Sequence, residues 1–529
     1  MNWGAHPLTG VSKGTFGSAD HDGMSDYDHL PYLSLPITFT QPPHLAALAT
    51  LHGLAPCPDP QRAQVLELGC ASGGNLLPLA ARWPKARFLG VDLSARQIAD
   101  GKRRIKYFDL ENVTLEEADL ADVQLPARSF DYVICHGVFS WVPPAVQAAI
   151  LGLIGRCLSD NGVATVSYNV LPGWHLRNPV KDILRFYAGA DQDLQARVAR
   201  ARAALATLEE YTGPGAYGVI LRAEARQLAK IPSSYILGEF LTEHNHPLQF
   251  LDFLAAAAAH GLEFIGEADL DAGARSAVTR KGLQHVDRLT ETDRGRAAQE
   301  LDFLSGRPFR RTLLRKRSAN AAASLPSAAH LAGLHISARL SPDPKGTTES
   351  RRAFLDRYGQ PVSTRVPVVA DALARLSRAY PATIPVAALL GDSGSARTRI
   401  AQCLLELVLR GRAVLSTLPI EVGRETDPKP KVWSFAGREA AMGLPGVTSL
   451  NHVTVALPKI GAAIASRSDG TRTSTELAAW LAAEIAAGRI ALPEPAPGDA
   501  EAVLDLARRQ VTDTLRHLAG SAVLVPAAP

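Results

Sequence analysis

The stretch from Gln64 to Asp92, QVLELGCASGGNLLPLAARWPKARFLGVD, constrains the fold of this chain more than any other. It reads as strand, glycine turn, helix and strand, ending on an acid. Val65–Leu68 is a short buried strand. Gly69-Cys70-Ala71-Ser72-Gly73-Gly74 is a loop of small residues that lets a ligand approach the backbone. Asn75 to Arg82 continues as a helix carrying Leu76, Leu77 and Leu79. Arg87–Val91 is a second apolar strand, and Asp92 stands just past its C-terminal end. Open parallel sheets bind ligands outside the carboxyl ends of their strands. An acid placed there can accept hydrogen bonds from both hydroxyls of a ribose.

Three ligand classes use such a loop. A nucleoside triphosphate wants GxxxxGK[ST], but no lysine follows Gly73-Gly74. A dinucleotide wants GxGxxG, and the glycines at 69, 73 and 74 do not fit it. S-adenosylmethionine has a ribose and no phosphate. Its loop needs an acid and small residues, E/D-x-G-x-x-x-G, which Glu67-Leu68-Gly69…Gly73 supplies. The bland alternative is an ordinary βαβ turn.

Strand and helix alternate on both sides of this stretch. Ser94 caps a helix to about Tyr107, and Val113–Glu116 is a third strand followed by Asp119, near where an adenine edge would lie. Phe130–Cys135 is a fourth strand delivering His136-Gly137-Val138-Phe139-Ser140-Trp141 to the ligand edge. Val163–Tyr168 is a fifth, followed by a loop with Asn169, Pro172, Gly173, Trp174 and His175. The expected class is α/β, a doubly wound Rossmann-like sheet. A mostly helical segment follows, then winged-helix-like α+β units.

At 529 residues the chain is too long for one core. The expected division is a loose tail over 1–24, with Met24 a candidate start. A cofactor-binding domain then covers 25–190, a helical domain 191–318, a winged-helix-like domain 330–420 and a last domain 421–529. Ala319–Ala329 reads as a linker and Pro493–Pro497 as a proline-rich loop. A net charge of +4 does not by itself imply a nucleic-acid or membrane partner. The five cysteines form no zinc spacing, which fits a reducing cytosol. No secretory leader and no membrane-spanning run is read. Arg307 to Arg317 holds six basic residues, expected as a solvated face or, in a rival reading, a nucleic-acid surface beside winged helices.

With these residues in view, the chain resembles a bacterial family of class I methyltransferases that carry a methyltransferase regulatory domain. Some members are rickettsial-type protein lysine methyltransferases acting on outer-membrane proteins. The resemblance rests on Tyr27-Asp28…Pro31-Tyr32…Ser34, LELGCASGGNLLP, HGVFSWVP from His136 and SYNVLPGW from Ser167. It continues through FLDFLAAAAAHGLEFIGEA, FRRTLL at Phe309, Asn451-His452 and DGTRT. Phe139 stands where tyrosine is expected, and Leu171 where threonine is more usual.

The resemblance implies S-adenosylmethionine as cofactor, Asp92 on its ribose, the Gly69–Gly74 loop on its methionine end, and Asp119 and Leu120 at the adenine. The cofactor set is therefore Glu67, Gly69, Cys70, Ala71, Gly73, Asn75, Asp92, Leu93, Asp119, Leu120 and His136. Methyl transfer to lysine needs an unprotonated amine held in line behind the sulfonium. Aromatic rings can hold an ammonium, and Tyr27, Tyr32, Phe139, Trp141 and Trp174 are candidates, against simple core packing. His136, Tyr32 and Trp174 are the catalytic candidates. His244 and His246 read as loop residues, and no metal is expected. No [DN]PP[FYW] follows the fourth strand, which speaks against methylation of a planar amide or base nitrogen. A protein substrate, with envelope proteins among the candidates, is preferred over a small molecule. A cofactor-sensing nucleic-acid binder ranks last, and a homodimer is left open.

Overall fold

The computed structural model describes residues 34–54, 57–190, 193–242, 244–317, 323–391, 394–490 and 499–526. The tail over 1–24, Tyr27, Tyr32 and the Pro493–Pro497 loop lie outside the described residues, as does most of the Ala319–Ala329 linker's first half. The chain forms two compact units. One comprises residues up to Ser34 together with His52–Ser324; the other comprises Leu35–Leu51 and Leu325–Pro529.

The first unit is built on seven strands: β1 (Gln64–Leu68), β2 (Arg87–Asp92), β3 (Val113–Glu117), β4 (Phe130–Cys135), β5 (Leu158–Asn169), β6 (Leu262–Glu267) and β7 (Phe309–Lys316). Their order across the sheet is β3-β2-β1-β4-β5-β7-β6. The first five are parallel, while β7 runs antiparallel to both β5 and β6. The central strands are apolar on both faces, as a sheet covered on both sides requires. Leu66, Leu68, Val133, Ile154 and Tyr168 lie in one buried core with Phe253 from the Phe250–Ala259 helix. Strand order reverses between β1 and β4, so their carboxyl ends open the crevice where such sheets bind ligands.

Two expectations about this unit need correction. The segment 191–318 is not a separate helical body, because it supplies β6 and β7 to the same sheet. The basic run is β7 itself. Its pattern puts Arg310, Thr312 and Leu314 on one face and Leu313 on the other, all buried. Arg307 and Arg310 are buried, Arg311, Arg315 and Lys316 half-buried, and Arg317 alone is exposed, so most of the run is not a solvated face. A second apolar cluster joins the Gly173–Ala188, Leu194–Tyr211 and Ala216–Leu228 helices through Leu184, Leu205, Leu221 and Phe240. Phe240 lies in a π-helical turn, Ile236–Leu241.

In the second unit, strands His335–Ser337, Ile384–Pro385 and Val414–Ser416 form one small sheet beside the Pro367–Ala379 and Gly394–Leu409 helices. Further along, the Ser474–Ala486 helix starts with the expected capping box of Thr473 and Glu476. The Pro42–Leu51 helix belongs here, although the expected cofactor-binding domain ran 25–190. His44 Nδ1 bonds the Leu415 carbonyl at 3.0 Å, and Thr417 N–H donates to Pro43 O at 3.0 Å. Among the described residues no helix is long and apolar enough to cross a membrane.

Candidate active site

The cofactor edge is assembled from neighbours in sequence. Val91 O accepts from the N–H groups of Gly69 at 2.7 Å and Cys70 at 3.1 Å, which turns the loop back over β2. Asp92 faces the loop: Oδ2 accepts from Ala71 N–H at 2.7 Å, and Oδ1 from Ser94 N–H at 3.0 Å. Gly69 has φ +76, and a Cβ there would fall 2.1 Å from a Val138 methyl. That position therefore needs glycine both for backbone and for space. Ser34 lies on the same loop, its Oγ accepting from Gly74 N–H at 2.7 Å. A Cβ on Gly74 would meet the Ser34 carbonyl at 2.0 Å. This explains the serine in the N-terminal motif, a role the sequence alone did not reveal.

Glu67 is buried under the loop. Oε1 accepts from Asn75 Nδ2 at 2.9 Å, while Oε2 has no partner. Burial, with Asp92 adding to it, pushes its pKa up to about 8 against the opposing Asn75 bond. A buried carboxyl with one oxygen unpartnered beneath a glycine cradle fits a ligand that brings positive charge. Cys70 is buried, and burial raises its thiol well above the ordinary range. It therefore fills space as a neutral thiol. Leu93 is 57% exposed beside Asp92, open to a ligand edge. Asp119 is exposed and accepts from Ala121 N–H at 2.8 Å, whereas the Leu120 side chain packs into the sheet core. A hollow of about 340 Å³ is lined by Leu120, Gly152, Arg156 and His260. It includes none of Glu67, Asp92 and His136 and is not the cofactor crevice.

The acceptor edge is assembled from distant segments. His136 leaves β4 half-buried, edge-on to Phe309 at 6.1 Å. Burial, with Arg311 adding to it, pushes its pKa down to about 3. At neutral pH it is an uncharged imidazole that can hold a hydrogen bond. Ser140 Oγ accepts from Asn169 N–H at 2.8 Å, and Ser140 O from His246 N–H at 2.8 Å. Asn169 Nδ2 donates to Asn245 Oδ1 at 2.9 Å. These bonds tie the ends of β4 and β5 to the loop holding His244 and His246.

Of the expected aromatic wall, Phe139 and Trp174 are core and Trp141 is half-buried, while Tyr27 and Tyr32 lie outside the described residues. Phe139 is 1% exposed, packed against Tyr168 and Phe253 at 6.0 and 5.6 Å. Trp174 is 1% exposed between Trp141 and Phe240. The chain's own cations already lie by both indoles: Lys181 Nζ is 5.6 Å from the Trp141 ring centre, and the Arg177 guanidinium 5.8 Å from that of Trp174. Phe139 and Trp174 therefore pack as core, and the two indoles already face the chain's own cations.

Behind β5 lies an ion network. Arg310 pairs with both oxygens of Asp302 at 2.8 and 2.9 Å, and with Glu267 at 2.7 Å. Arg307 joins Asp269 at 3.1 Å and Asp271. Burial works against the Asp269 carboxylate, but Arg307 and Arg311 outweigh it and hold it below its ordinary range. Glu267, Asp269 and Asp271 cluster closely enough to ligate a metal. The arginines face them instead, so the cluster reads as an ion-pair network.

The comparisons agree with this geometry. Residues 65–162 match the methyltransferase domain family, 232–316 the "predicted methyltransferase regulatory domain", and 428–523 the PKMT C-terminal winged helix domain. The uncharacterized Rickettsia prowazekii protein RP789 is 36% identical over 306 residues, 57% of this chain; the chain spans only 54% of that relative. RP028 of the same organism is 37% identical over 44% of this chain and 93% of its own length. Trans-aconitate 2-methyltransferase of Methylobacterium nodulans is 31% identical over 36% of this chain and 66% of its own. The solved structure of PKMT2 from Rickettsia typhi superposes with a TM-score of 0.82 at 25% identity, covering 94% of this chain and 100% of that one. Its complex with AdoHcy gives 0.81.

The fold and site define a class I S-adenosylmethionine-dependent methyltransferase. Within that class, the chain belongs to the family that carries a methyltransferase regulatory domain and resembles the rickettsial-type protein lysine methyltransferases.

Proposed function

We propose that the chain methylates lysine side chains of a protein substrate. The observation that carries this reading is its likeness to PKMT2 along nearly the whole chain, including the C-terminal winged helix. The cofactor supplies an electrophilic methyl on a sulfonium. Asp92 accepts from the ribose hydroxyls, and Leu93 lies beside them. Gly69, Cys70, Ala71 and Gly73 pass the methionine end along their backbone. Glu67, held by Asn75, faces its positive charge, and Asp119 and Leu120 border the adenine. His136 orients the acceptor as a neutral hydrogen-bonding group. Trp174 backs the acceptor edge, and Tyr32 keeps the catalytic role that the sequence resemblance implies. A lysine amine, with pKa near ~10.4, must arrive or become unprotonated.

Incubation with methyl-labelled cofactor and cell-envelope extract tests the reading. Label should appear in protein and be recovered as methyl-lysine after hydrolysis. The trans-aconitate 2-methyltransferase relatives favour a second reading, methylation of a small carboxylic acid. Label confined to the low-mass fraction would select it and remove the first.

A further inference from the structure

Four polar atoms on segments packed against the Ser140-Trp141 turn and the end of β5 are buried without a hydrogen-bond partner: Trp174 Nε1, Lys181 Nζ, Asn245 Nδ2 and His246 Nε2. They come from two elements, the Gly173–Ala188 helix and the loop after the π-helical turn. The Ser140-Trp141 turn links them. Lys181 Nζ lies 5.6 Å from its ring centre, Trp174 packs edge-on to it at 6.1 Å, and His246 N–H bonds the carbonyl of the preceding Ser140. Lys181 is only 5% exposed. Three of the four atoms are obligatory donors, and the fourth donates in one tautomer.

Buried donors of this kind are rare because each carries an unrelieved desolvation cost, largest for a charged group. Lys181 and Trp174 lie two turns apart on one helix, both against Trp141, while Asn245 is bonded to Asn169 at the carboxyl end of β5. π-helical turns such as Ile236–Leu241 concentrate at functional sites, and this one precedes the loop that bears Asn245 and His246. The charges near Lys181 are Arg185 and Asp182 on its own helix and Glu239 on the turn. Burial lowers the Lys181 pKa to about 8, with Arg185 adding to it, so the amine is still mostly protonated at neutral pH.

We propose that Trp174 Nε1, Lys181 Nζ and Asn245 Nδ2 form an acceptor-recognition subsite that binds a carboxylate. The subsite rests on the proposed methyl transfer and deepens it: the enzyme selects an amine that has an acidic group beside it. Lys181 and Asn245 are positioning residues, since the carboxylate they hold is not the group methylated. The same chemistry could come from an acidic side chain of a peptide or from a free dicarboxylate.

The test is binding, read by tryptophan fluorescence of the full-length protein and needing no turnover. One arm titrates succinate; the other titrates a lysine peptide with a neighbouring glutamate, against its Glu→Gln counterpart. Saturable binding of succinate or of the acidic peptide is expected, weakened roughly 10- to 100-fold in Lys181→Met and largely kept in Lys181→Arg. The tighter arm identifies the source of the carboxylate. Asn245→Leu should weaken binding less, and melting curves must show each variant folded. Absence of saturation in wild type means that water alone fills the space, and overturns the proposal. So does equal affinity of Lys181→Met, or equal affinity of the Glu and Gln peptides in a protein that does not bind succinate. A protein that binds carboxylate yet labels no protein would instead count against the lysine reading.

Discussion

The two sides of the active site are built in opposite ways. The expected cofactor edge comes mainly from one continuous stretch, Glu67 to Leu93, joined by Ser34, Asp119, Leu120 and His136, and the loop bonds within that stretch link residues at most 22 positions apart. The acceptor edge draws on His136, Ser140, Asn169, Trp174, Lys181 and Asn245, and β7 backs it from beyond residue 300. Binding the donor needs a fixed shape that a local motif can encode. Choosing an acceptor needs groups that only packing brings together. A family can then keep the first edge and vary the second.

The strongest way to break this comparison is through β7. Arg310→Ala leaves Glu267 and Asp302 buried without their cation and should cost about 3–5 kcal/mol of stability. Urea unfolding monitored by circular dichroism would show it. A loss under ~1 kcal/mol would mean that the network does not hold the acceptor edge.

Next comes Asp92→Ala, which removes the carboxylate proposed to hold the ribose and should lower cofactor affinity by about 2 kcal/mol or more while the protein stays folded. Calorimetry with S-adenosylmethionine measures it, and unchanged affinity would misplace the ribose.

A smaller effect should appear with pH. Free Glu67 has its pKa raised to about 8, so it is mainly protonated at pH 7. A cationic cofactor favours the ionised form. Affinity should therefore rise from pH 7 to 9, by at most about tenfold over the whole interval. Glu67→Gln should flatten the profile. A profile equally steep in the variant would assign the titration elsewhere.

The smallest expected effect is on nucleic acid. With Arg307 and Arg310 turned inward, the protein should show no retention on DNA even at low salt. Affinity that falls steeply with salt would reopen that surface.

Much of the donor edge was legible because its requirements are local. A strand, a run of small residues and an acid at a fixed distance leave few ligands open, and Gly69 and Asp92 stand where that pattern put them. Trp174 and Phe139 were legible as aromatic but not as buried, because burial depends on Phe240, Tyr168 and Phe253 arriving from elsewhere. Lys181 carried no signal at all. A lysine on a helix ordinarily faces water, and here it faces an indole. The basic run gave a misleading signal. Charge count does not say whether counter-charges wait in the interior, and Glu267 and Asp302 do.

The sequence by itself determined the parallel strands, the cofactor loop and its acid, because backbone conformation and short-range hydrogen bonds settle them within a few turns of chain. Only the tertiary structure decided that residues beyond 260 complete the sheet, that the Pro42–Leu51 helix joins the second unit, and that unpartnered donors lie on segments packed against the Ser140-Trp141 turn and the end of β5. Those outcomes depend on which distant surfaces exclude water together, and no local pattern of residues records that.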